Sequence, residues 1–188
     1  MELRFTGHTF DPEQVRTGDE QKSFVNGAVG RVAEGLTVES FSVSTLSDEA
    51  LDGTAKVKFA KPLPSVGERR RLTLGPEFPF LATTPVPLAA IERRLPVELA
   101  GPVVELLDLK IELPEGQLPA ASPSNLERSV GDWATTELTV SGTDSAQLVI
   151  RRVVRITRAE IAAAEFIPLR DAINELRADS SRTIVFGK

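Results

Sequence analysis

Cysteine and tyrosine are both missing from this chain, and histidine, methionine and tryptophan each occur once. Without cysteine there is no disulfide, no thiolate metal ligand and no thiol nucleophile. A Ser-His-Asp triad would have to be built on His8, which lies beside Gly7 in turn-like sequence, and a solvated loop histidine is the reading favoured there. One histidine leaves only carboxylates for a metal, so neither a metal site nor a catalytic site is expected. No cofactor is expected: Gly27, Gly30 and Gly35 lack the G-x-G spacing and the preceding apolar strand of a dinucleotide loop. Long apolar runs are also missing, and none approaches the roughly 20 residues of a membrane span. Met1 is followed at once by Glu-Leu-Arg-Phe, which is no leader peptide but a strand-like start, as expected of an excised domain.

What is present is ordinary globular material: 188 residues, 41% hydrophobic and 26% charged, enough for a core without covalent staples. The net charge of −5 disfavours non-specific nucleic-acid binding, which needs a basic footprint. Leu3 and Phe5 alternate with Glu2 and Arg4 as in a half-buried strand. Asp11, Pro12 and Gln14 suit a helix start, Gly18 interrupts it, and Asp19 opens a second start. Phe24, Ala28 and Val32 then recur every four residues, with Gly35 as the stop. A strand over 36–46, a loop from Ser47 to Gly53 and a strand through Ala55, Val57 and Phe59 follow.

Arg69 to Leu74 suits one more strand, after which Pro76, Pro79, Pro85 and Pro87 exclude regular structure. This proline-rich stretch, with Phe78, Phe80 and Leu81, is expected to pack along a surface. Beyond it, Arg94 to Leu99 reads as a proline-bearing edge strand. Leu107, Leu109, Ile111 and Leu113 alternate with charges as a strand with one buried face, turned by Pro114-Glu115-Gly116. Residues 133–140 and 146–156 form a hairpin. A helix carries Phe166, Leu169, Ile173 and Leu176 on one face, with Pro168 fitting only its first turn, and Thr183 to Phe186 is a last strand. The fold class expected is α+β: a small β-α-β-β lobe over residues 1–75, a proline-rich connection over 76–90, and a mainly antiparallel β-sandwich with a C-terminal helix over 91–188. Whether the lobes share a sheet is open at this point.

Several short motifs occur in a characteristic order: Arg93-Arg94-Leu95-Pro96-Val97, then Leu113-Pro114-Glu115-Gly116 and Leu118-Pro119, a hairpin, the basic strand 151–156, the helix around Phe166 and Ile173, and Thr183-Ile184-Val185-Phe186. In this order the chain resembles the uncharacterised C-terminal region that follows the transglutaminase-like core in large bacterial surface or periplasmic proteins. The resemblance implies an accessory domain on the periplasmic or extracellular face, with the core of the parent chain or another protein as partner. The core's Cys, His and Asp are not here, so no catalytic residue carries over.

The remaining candidates are charges and the tryptophan. Arg151 and Arg155 share one strand face with Val149 and Val153, whereas Arg152 falls among Leu148, Ile150, Val154 and Ile156 and must reach an edge or a carboxylate. Asp108 and Glu112, with Lys110 between them, read as a charge-balanced solvated face, and Arg69-Arg70-Arg71 as a rim. Trp133 suits a packing anchor, or a stacking platform if exposed. The expected function is a non-catalytic accessory or interaction domain, with a module recognising peptide or glycan as the alternative. Its candidate surface is Trp133, Arg151, Arg155 and Arg158.

Overall fold

The computed structural model describes residues 1–7, 17–47, 50–76, 92–99, 101–113 and 118–187. His8, the Asp11–Gln14 helix start, Pro79, Pro85, Pro87 and the turn at Pro114-Glu115-Gly116 lie outside the described residues, as does most of the proline-rich connection.

The chain is α+β and mainly antiparallel. Its strands are β1 (Glu2–Gly7), β2 (Leu36–Ser47), β3 (Ala50–Phe59), β4 (Ser65–Val66), β5 (Arg69–Thr73), β6 (Val97–Glu98), β7 (Val103–Glu112), β8 (Pro119–Ala121), β9 (Leu126–Val130), β10 (Ala134–Ser141), β11 (Gln147–Ile156), β12 (Glu160–Ile161) and β13 (Thr183–Phe186). Helix α1 spans Gly18–Val32 and α2 spans Ala163–Arg177. Seven strands form one sheet in the order β2-β3-β1-β7-β11-β10-β9, four form a second in the order β4-β5-β13-β8, and β12 pairs with β6.

The question of a shared sheet is answered by β1. Its one edge pairs with β3 and its other with β7, so strands from both sides of the proline-rich stretch are continuous in the large sheet. The small sheet mixes them again, since β5 pairs with β13.

One face of the large sheet is buried. Along β7 the residues Val103, Glu105, Leu107, Leu109 and Ile111 point inward, and along β11 Leu148, Ile150, Arg152, Val154 and Ile156 do so, as the two-residue period requires. The small sheet adds Leu72, Ile184 and Phe186 to the same core. Helix α1 presents Val25, Ala28, Val29 and Val32, and α2 presents Phe166, Leu169, Ile173 and Leu176. In β2 a bulge at Glu39 moves the inward row from Leu36 and Val38 to Phe41 and Val43.

Four expectations need correction. Gly53 is not in a loop: β3 begins at Ala50, and Gly53 is paired with Phe5 and Val43, because the β2–β3 ladder continues to Ser47 opposite Ala50. Helix α1 starts at Gly18, not Asp19, because Thr17 and Glu20 form a reciprocal capping box that satisfies two end N–H groups. Pro168 is the sixth residue of α2, not within its first turn; its missing N–H leaves one turn of the helix a hydrogen bond short. The edge strand expected over residues 94–99 shortens to Val97–Glu98, since Pro96 has no N–H to give a ladder.

Candidate functional site

Three constellations stand out, and the first lies inside the core. Arg152 is 2% exposed, yet it faces the apolar interior of the large sheet as its strand parity dictates. Burial pulls its guanidinium down to a pKa of about 10, the negative charge of Glu105 works against that, and Arg182 and Arg177 add to the lowering. Its Nη1 donates to the Gly75 carbonyl at 3.1 Å. Arg182 Nη1 donates to the preceding carbonyl, Leu74, at 2.6 Å, and Arg177 Nε donates to the following one, Pro76, at 3.1 Å. Three consecutive carbonyls just past β5 are thus each held by an arginine from a different part of the C-terminal half. Backbone carbonyls that leave a ladder need another donor, from a side chain or from water. Arg182 is itself held by Asp179 and by the Arg177 carbonyl. The arrangement is a clamp in which each of the three arginines gives a donor to this backbone stretch.

The second constellation surrounds Trp133, which closes the hairpin between β9 and β10 and is 3% exposed. Gly131, at φ +58°, packs against the indole; a Cβ there would come within 2.9 Å of its ring. The Trp133 carbonyl accepts from the backbone N–H and the hydroxyl of Thr157. Arg158 lies over the ring, 5.2 Å from its centroid, and pairs with Asp132 at 3.6 Å and Glu165 at 3.1 Å. Trp133 and Arg158 are therefore brought together, but as a buried anchor and its lid.

Arg151 and Arg155 stand exposed on the outer face of β11. Arg151 lies 3.9 Å from Asp108 on β7, its cross-strand partner, as an alternating charged face favours. Arg155 has no ion pair among the described residues.

The third constellation was not anticipated. A groove of about 430 Å³ opens between the ends of the two sheets. Phe59, Leu63, Leu72, Ile111, Leu113 and Phe186 form its apolar walls, and Met1 lines it as well. Residues 60–64 border it because Pro62 and Pro64 cannot donate to a ladder, so the chain leaves β3 as a loop. Lys61, Arg70 and Glu112 stand on its rim, all exposed. A second depression of about 450 Å³ adjoins it, sharing Phe59, Lys61, Leu63 and Leu72 and adding Arg71 and Glu34. The tripeptide Pro62-Leu63-Pro64 was the one sequence signal available, since a leucine between prolines has no strand in which to hide.

Among the described residues no group of three or more His, Asp or Glu side chains is placed to hold a metal, and no helix is long and apolar enough to cross a membrane.

Residues 71–186 match a family described as a domain of unknown function with solved structure, DUF3858. No curated protein matches the chain. Among solved structures, a crystallised protein from Parabacteroides distasonis, provisionally named a protease, is similar to it with 17% identity and a TM-score of 0.46. That likeness covers 54% of this chain and 20% of the other.

Proposed function

The chain belongs to the DUF3858 family, a domain of unknown function, and we propose that it acts as a non-catalytic accessory or interaction domain of a transglutaminase-like bacterial protein, on the periplasmic or extracellular face. The observation that carries this reading is the groove beside Met1. Its apolar walls come from both sheets, and it is large enough for a recognition site. The chemistry-bearing groups elsewhere support the same reading: Arg152, Arg177 and Arg182 hold backbone, and Arg158 covers Trp133. The alternative, a module that recognises peptide or glycan, keeps support only for peptide, since a Trp133 that is 3% exposed presents no face to a sugar.

The test begins with the gene. A transglutaminase-like core encoded ahead of this segment supports the association, and its absence overturns it. A calorimetric titration of this chain with that core follows. A saturable complex supports the docking role, and no heat at high micromolar concentrations excludes it.

A further inference from the structure

The two exposed cations on the groove rim, Lys61 and Arg70, have no ion-pair partner among the described residues. They flank walls of phenylalanine, leucine and isoleucine, with Glu112 as the one anion among the described residues of that rim. The adjoining depression repeats the pattern with Lys61 and Arg71 against Glu34. Both are locally positive on a chain whose net charge is −5. A locally reversed charge around open apolar walls selects for a ligand that is apolar and anionic together.

We propose that this groove binds an extended apolar peptide segment carrying a carboxylate, with the apolar side chains against Phe59, Leu63 and Leu72 and the carboxylate between Lys61 and Arg70. This deepens the interaction reading and rests on it. The two adjoining depressions run past the same loop, which suits an extended chain better than a compact molecule.

The probe is a random octapeptide library displayed on phage, selected on the full chain, with enriched sequences resynthesised and measured by fluorescence anisotropy. Enriched peptides should combine aliphatic or aromatic residues with Asp or Glu. They should bind the Lys61→Glu, Arg70→Glu double variant about tenfold more weakly, and lose affinity with added salt. Both residues are exposed, so Trp133 emission and the urea midpoint of the variant should match the parent chain. If no sequence is enriched, or if the enriched peptides carry no carboxylate or bind the double variant equally well, the proposal fails. A core that still binds the double variant with full affinity would overturn this groove assignment while leaving the accessory role standing.

Discussion

Arg152 and Glu105 are diagonal neighbours on the buried face of the large sheet: Arg152 lies opposite Leu107 and Glu105 opposite Val154, and neither side chain is more than 2% exposed. They place opposite charges in one core, where their attraction offsets part of the cost of removing both from water. The pair is also one point where the two halves meet, because Arg152 holds the carbonyl of Gly75.

Removing one member should cost far more than removing both. Arg152→Met should destabilise the fold by about 3–5 kcal/mol, because Glu105 loses its counter-charge and Gly75 its donor. Adding Glu105→Leu should return part of that loss, about 1–3 kcal/mol of coupling. Urea unfolding followed by Trp133 fluorescence measures both variants. Strict additivity would mean that the two charges do not act together.

The same arginine sets a pH dependence. Its folded pKa, about 10, lies below its ordinary value, so between the two the unfolded chain binds more protons than the folded one. Stability from this group therefore rises with pH across that window, and the penalty is fully present below pH 10. The stability gap between the parent chain and Arg152→Gln should widen in the parent's favour between pH 9.5 and 11, by about 1 kcal/mol. Unfolding curves at matched pH values measure this, and a constant gap would contradict it.

Two glycines should respond oppositely to alanine. A Cβ on Gly75 would lie 1.9 Å from the Arg31 carbonyl oxygen, a backbone atom that cannot step aside. Gly75→Ala should cost at least about 2 kcal/mol. A Cβ on Gly27 meets nothing within 4 Å and sits within α1. Gly27→Ala should stabilise by about 0.5–1 kcal/mol. Thermal or urea midpoints separate the two, and equal effects would contradict the close approach of Gly75 to α1.

The single tryptophan reports on its own burial. Acrylamide should quench Trp133 weakly in the folded chain and strongly in urea. Arg158→Ala should raise the quenching and cost about 0.5–1 kcal/mol, through the lost cation–π contact. Free quenching of the folded chain would contradict the anchor.

Much of the fold was legible because strand parity and helix period are local properties. The alternation of Leu107, Leu109 and Ile111 places them inward on β7, and Thr183 to Phe186 form β13 as read. The four-residue spacing in α1 likewise gives its buried Ala28 and Val32. The Gly53 reading failed because a glycine looks the same in a loop as in the middle of a sheet, where pairing on both edges holds it. Strand β9 was missed because its middle residues, Glu127, Arg128 and Ser129, are exposed and polar, and only α2 with the Arg128–Glu175 contact makes it a covered edge.

Of the candidate surface, sequence alone established that Arg151 and Arg155 share a strand face and that one arginine of the run must turn inward. Periodicity fixes which way a side chain points, so those statements needed no partner. Tertiary structure decided that the inward residue, Arg152, meets Glu105 and Gly75, that Trp133 is covered by Arg158, and that Met1, Leu63, Ile111 and Phe186 line one groove. Such meetings depend on how distant segments pack, and no local pattern in the chain encodes which distant residue will stand opposite.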